Sequence, residues 1–119
     1  MGIFNLTPDS FYNGNKTNSS NYFKSQFKKV LNADIIDIGA ESSRPGSESI
    51  SEQEEIKRLD FFFTLPHRNK YLSIDSYKPK VIEYCLNKNF RMINDISGGG
   101  NKFINIDMAK EYNVPICLM

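Results

Sequence analysis

Residues 34–63 read DIIDIGAESSRPGSESISEQEEIKRLDFFF, and the order of signals in them decides the fold. Asp34 to Gly39 is a short isoleucine-rich run, which suits a buried strand better than a helix. Asp37 inside it is expected to be a hydrogen-bonded structural group of the interior. A polar stretch, Glu41-Ser42-Ser43-Arg44-Pro45-Gly46, follows. Then comes Ser51-Glu52-Gln53-Glu54, where the serine can cap amides while Glu54 reaches back to the cap residue's own amide. Ile56, Leu59 and Phe63 form the apolar stripe of the helix it opens. Strand, polar loop and helix make a unit whose next strand must run parallel to the first.

The pattern repeats outward. GIFNL (2–6), YLSID (71–75), FRMIND (90–95) and VPICLM (114–119) read as further strands. A helix before residue 32 places Phe23, Phe27, Val30 and Leu31 on one face. Another begins at Pro79, where a first-turn proline loses no hydrogen bond, and buries Val81, Ile82, Cys85 and Leu86. A fourth, about residues 102–112, rests on Ile104, Met108 and Tyr112. The order is β-α-β-α-β-α-β-α-β, one folding unit over 1–119. It requires a parallel sheet with right-handed crossovers, either an open doubly wound sheet or a closed barrel. Strand 1 between strands 3 and 4 would mean the former; strands adjacent in chain order mean the latter.

Composition narrows the function. The 119 residues are 39% hydrophobic and 24% charged, with 15 Lys and Arg against 14 Asp and Glu. A net charge of +1 gives no electrostatic case for nucleic acid or an anionic membrane surface. No apolar run approaches a membrane span and no secretory signal follows Met1, so a cytoplasmic protein is expected. Cys85 and Cys117 are expected to be buried thiols without a disulfide or metal. His67, the one histidine, falls between helix 2 and strand 3, away from the loops that carry function in such folds, and is expected to have a surface role. The GGG at 98–100 lacks the spacing of a phosphate-binding fingerprint and reads as a turn.

Several strand ends deliver polar groups to one end of the sheet: Asn5 from strand 1, Glu41 to Gly46 after strand 2, Asp75 from strand 3, Asn94-Asp95 from strand 4. Ligands of parallel α/β folds bind at that end. Either aspartate taken singly could instead cap the following helix, and Arg44 could be a solvated loop residue.

MGIFNLTPDSFYNG, DIIDIGAESSRPGS, LSIDSYKPKVIEYC and MINDISGG occur in the order and spacing of the dihydropteroate synthase family of pterin-binding (β/α)8-barrel enzymes, which the chain resembles along its whole length. The resemblance implies part of a TIM (β/α)8 barrel, strands 1 to 5 with four connecting helices. It implies condensation of 6-hydroxymethyl-7,8-dihydropterin diphosphate with p-aminobenzoate, giving 7,8-dihydropteroate and pyrophosphate with Mg²⁺ assistance. By residue, it implies pterin binding by Asp75 and Asn94, diphosphate contact by Arg44, and a metal contact by Asn5. A loop from Thr7 to Gly14 would close with the loop after strand 2 over p-aminobenzoate, using Thr7, Pro8, Asp9, Ser10, Phe11, Ser43 and Pro45. Asp75, Asp9 and Arg44 would carry the catalytic roles, and a homodimer of the full-length protein is compatible with the resemblance.

The sequence departs from the family pattern at Ala40, where a second glycine is usual, and at Ser43, where threonine is usual. A complete barrel of this kind needs about 250 residues and eight strands. The 119 residues are therefore expected to be the N-terminal half of such an enzyme and inactive alone, the alternative being a truncated, non-catalytic pterin-binding barrel fragment.

Overall fold

The structure, a computed structural model, describes residues 1–7, 16–97 and 100–119 (for 16–19 and 102, the backbone alone). Five strands, β1 (Gly2–Asn5), β2 (Ile35–Gly39), β3 (Tyr71–Asp75), β4 (Met92–Asp95) and β5 (Ile116–Leu118), alternate with four helices, α1 (Lys16–Val30), α2 (Glu52–Phe62), α3 (Pro79–Leu86) and α4 (Lys102–Glu111). All paired strands are parallel and lie in the order β1-β2-β3-β4-β5. β1 is not inserted between β3 and β4, so the doubly wound alternative falls and the sheet is an arc of a β/α-barrel wall. Right-handed crossovers that always step to the next strand put the helices on one face of the sheet.

That face holds the core. Phe4, Ile36, Ile38, Leu72, Ile74 and Ile93 alternate along the strands and are buried against Phe23 and Phe27 of α1, Leu59 and Phe62 of α2, and Val81, Ile82 and Cys85 of α3. Phe27 meets Phe4 at 5.3 Å and Phe62 at 5.6 Å, both edge-on, as ring quadrupoles favour. The opposite face receives the alternate residues, including Ile3, Asn5, Asp37, Gly39, Ser73, Asp75, Met92 and Asn94.

Two helices sit differently from their expected stripes. α2 buries Glu55, Leu59 and Phe62 rather than centring on Ile56, Leu59 and Phe63, because Glu55 is drawn inward by the ammonium of Lys78. In α4, Ile104 is exposed, and Asn105 and Ala109 are buried instead. Asn105 donates to Asp95 Oδ2 at 2.8 Å and to the Tyr77 carbonyl at 3.1 Å, so hydrogen bonds rather than an apolar side chain hold that turn. The helix-to-strand connections are short, and the three that follow α2, α3 and α4 each place an asparagine at positive φ: Asn69 (63°), Asn89 (70°) and Asn113 (52°). Asparagine enters this region more readily than other non-glycine residues.

His67 does stand at the amino-terminal end of β3, but half-buried rather than at the surface. Its ring stacks on Phe62 at 4.8 Å and its Nδ1 is 2.7 Å from the Leu65 carbonyl. Cys85 is buried and its thiol pKa is pushed well up by burial, whereas Cys117 is exposed, against expectation. The reason is register: Cys117 is the β5 partner of Asn94, on the face that no helix covers.

At the start of α2, the Glu54 amide donates to Ser51 Oγ at 3.1 Å, as expected for the cap. The Glu54 carboxylate turns to Arg58 Nε at 3.1 Å instead of reaching back. Ser51→Ala leaves that amide without its acceptor and is expected to lower stability by about 1 kcal/mol, read as a lower urea midpoint with an unchanged slope.

Candidate functional site

Strand register assembles the site. Asn5 is the partner of Gly39, Gly39 of Asp75, and Asp75 of Asn94, so one row across four carboxyl-terminal strand ends reads Asn, Gly, Asp, Asn. A glycine suits that position. A Cβ on Gly39 would stand 3.1 Å from Asp75 Oδ2 and 3.2 Å from Asn5 Oδ1, so both side chains lean over the space it vacates.

Asp75 is the electrostatic centre. Burial raises its pKa to about 7, aided by the like charges of Asp37, Glu55 and Asp95. Among the described residues none donates a hydrogen bond to it. A half-buried carboxylate with both oxygens unclaimed is a ready acceptor for N–H donors of a ligand. Asn94 donates through Nδ2 to Asp37 Oδ2 at 2.9 Å, so Asp37 is the interior hydrogen-bonded group expected of it. Asp95, expected at the site beside Asn94, points the other way. One residue along a strand reverses the face, and Asp95 is buried among the helices, accepting from Asn105 and, at 3.0 and 2.7 Å, from the Ser97 amide and hydroxyl.

The loop after β2 is braced from within. Ser47 donates through its amide (3.1 Å) and hydroxyl (2.8 Å) to the Arg44 carbonyl. With Pro45 and Gly46 between them, and Gly46 at φ 83°, this is the pattern of a type II turn. Arg44 thereby lines a cleft of about 540 Å³ with Asn5 and Thr7. Ser43 joins Asp75 instead, in a cavity of about 180 Å³ with Glu41, Ser76 and Tyr77. Pro45 is exposed and faces a further cleft with Arg58, which Arg44 also lines. The structure thus brings the expected residues to one end of the sheet but divides them between cavities. Pro8, Asp9, Ser10 and Phe11 lie outside the described residues, as do Gly98 and Gly99.

A cluster beneath this loop was not anticipated. Lys78 Nζ bonds the carboxylates of Glu41 and Glu55, the latter at 2.8 Å. The Tyr77 hydroxyl donates to Glu41 at 3.0 Å and lies 3.1 Å from Ser49 Oγ. Burial opposes charge on Glu41 and Lys78 alike, but the bonds between them prevail, lowering the pKa of Glu41 and raising that of Lys78. The one hint in the sequence is a lysine directly before the proline that opens a helix.

A parallel β/α sheet with helices on one face, and a row of carboxylate and carboxamide groups at its carboxyl-terminal strand ends, defines a β/α-barrel protein built to recognise a polar ligand. The model of the pterin binding enzyme family matches residues 1–119, and the chain belongs to that family. It is 42% identical over 128 residues to a dihydropteroate synthase of Clostridium beijerinckii and 40% identical over 125 residues to that of Bacillus subtilis. All of the chain is covered, against 46% and 43% of those relatives, so it spans less than half their length. Among solved structures it resembles dihydropteroate synthase of Clostridium difficile in the presence of pteroic acid (TM-score 0.77, 32% identity, 98% of this chain and 46% of that one). It also resembles the Xanthomonas albilineans enzyme with 4-aminobenzoic acid (TM-score 0.79, 30% identity, 98% and 44%).

Proposed function

We propose that the gene product carrying this chain is a dihydropteroate synthase, joining p-aminobenzoate to 6-hydroxymethyl-7,8-dihydropterin diphosphate with release of pyrophosphate. The observation that carries the reading is the row Asn5, Gly39, Asp75, Asn94, in which the Asp75 carboxylate accepts no hydrogen bond from any described residue. The aminopyrimidine edge of a pterin supplies such donors. The bond from the pterin methylene carbon to the diphosphate oxygen breaks, the electron pair leaves with pyrophosphate, and the p-aminobenzoate nitrogen bonds to that carbon and loses a proton. Positive charge developing on the pterin is favoured by ionised Asp75. Arg44, on its braced turn beside Asn5, is suited to the leaving diphosphate, while Ser43 and Thr7 border the approach of the second ring. Asp9, Pro8, Phe11 and Pro45 belong to the covering loops in this reading.

The reaction class implies Mg²⁺. Asn5 offers one exposed neutral oxygen, and among the described residues no group of three or more His, Cys, Asp or Glu could hold a metal ion. A donor set of that kind fits an ion whose other ligands are diphosphate oxygens and water. Asn5 would hold it, and the ion would neutralise charge on the leaving group. Among the described residues no helix is long and apolar enough to cross a membrane, and the proposed place of action is the cytoplasm.

The test is formation of dihydropteroate by the purified gene product with both substrates and Mg²⁺, followed by chromatography. Product that requires both substrates is expected. Pterin binding without any product would favour the second reading, a non-catalytic pterin-binding barrel fragment.

A further inference from the structure

Asp37 lies two residues before Gly39 on the same face of β2, and its strand partner on β3 is Ser73. Asn94 stands on β4, beyond β3, yet its Nδ2 reaches Asp37 Oδ2 at 2.9 Å. The small Ser73 side chain at the intervening position leaves that span open. Asp37 is 3% exposed and Ser73 fully buried, while Asn94 is half-buried, so the carboxylate end of the contact is shielded from water.

The chemistry of the pair fixes a direction. An ionised carboxylate only accepts, so the NH₂ end of the carboxamide must face it; the reverse orientation would set two acceptors against each other in a water-poor interior. The amide oxygen of Asn94 is then turned away from Asp37, and it accepts no hydrogen bond from any described residue. It stands in the row beside Asp75, whose oxygens likewise accept from no described residue. Two neighbouring acceptors select a ligand edge that presents adjacent N–H donors and disfavour one that presents a ring nitrogen lone pair.

We infer that Asp37 is a positioning residue that locks the Asn94 carboxamide with its oxygen toward the ligand, so that Asn94 and Asp75 together read an N–H-rich heterocycle edge. This rests on the pterin reading above and adds to it the source of edge selectivity. Asp37 touches no substrate and acts through Asn94.

Asp37→Asn in the gene product keeps the shape of the side chain but presents both a donor and an acceptor, so either orientation of Asn94 is satisfied. Binding is measured by calorimetry at alkaline pH with 6-hydroxymethylpterin and with its analogue lacking the 2-amino group. The wild-type protein is expected to prefer the amino compound, and the variant to lose affinity for it by about tenfold, the size of one charge-assisted hydrogen bond. Affinity for the deamino analogue and KM for p-aminobenzoate are expected to stay within about twofold, changes too small to represent such a bond. Equal losses for both heterocycles would mean a purely structural role and overturn the inference, as would an unchanged preference. A wild-type protein that binds neither heterocycle overturns the pterin reading itself, and this inference with it. A measurement on the unmodified protein covers the case of a variant that does not fold: one Asn94 side-chain N–H is expected to exchange with solvent at least about tenfold more slowly than that of exposed Asn87, as a hydrogen bond to a buried carboxylate demands. Equal exchange rates would sink the proposal.

Discussion

Asp75→Asn is expected to weaken binding of the pterin substrate by roughly 10- to 150-fold, equivalent to about 1.5–3 kcal/mol for a hydrogen bond to a charged group. The substitution replaces one acceptor oxygen by an NH₂ that meets ligand N–H groups donor to donor. It also removes a titration. In the wild-type protein, burial first, and then the charges of Asp37, Glu55 and Asp95, hold the Asp75 pKa at about 7. A donor-bearing ligand needs the ionised form, so it must expel a proton when binding below that pH. Wild-type affinity is therefore expected to be level above pH 7 and to fall as the pH drops below it, approaching tenfold per unit. The Asn variant should lack that limb. In the free protein the sign for stability is opposite in sense. Between the ordinary value of 3.8 and about 7 the folded chain holds the extra proton, so this residue's contribution declines as pH rises through that window. Calorimetry across a pH series decides the matter: an Asn variant with wild-type affinity, or with the same acid limb, would remove Asp75 from the ligand.

The parts of this arrangement that could be read in the sequence are those fixed by local signals. Short isoleucine-rich and aromatic runs marked the strands, Pro79 and Ser51 marked helix starts, and each of Asn5, Asp75 and Asn94 ends or nearly ends its strand, which placed them at one end of any parallel sheet. What the sequence did not show depends on partners far along the chain. Glu55 reads as a solvated first-turn acid until Lys78 is known to lie beneath it, and that pairing rotates α2 by one residue. Asn105 reads as polar surface until Asp95 is seen behind it. Asp95 itself was misplaced for a simpler reason: strict alternation from Asn94 sends it to the helix side, and two adjacent residues on one strand cannot serve one pocket. The bond from Asn94 to Asp37 required the register of three strands, which periodicity does not supply.

Lys78→Met is expected to lower the stability of the gene product by about 3–5 kcal/mol, the range for breaking a buried ion pair by removing one partner. Lys78 is 7% exposed and Glu55 1%, so the loss leaves a carboxylate with neither counter-charge nor water. The penalty should depend on pH in a defined sense. Glu41 has a lowered folded pKa, so its stabilisation is present above the unfolded value and lost as pH falls through the folded one. Lys78 has a raised pKa, so its share is present below its ordinary value of 10.5 and lost only as pH rises through the folded value. Both shares are complete near neutrality, where the deficit of the variant is therefore greatest. On acidification it should shrink, because the stranded carboxylates can take up protons. Adding Glu55→Leu to Lys78→Met replaces the buried charges with apolar groups and is expected to recover much of the loss, since such replacements are often neutral. Urea unfolding of the single and double variants at neutral and mildly acidic pH provides the comparison. A single variant as stable as wild type, or a double variant no better than the single, would show that the loop carrying Ser43 and Arg44 is held by something other than this ion cluster.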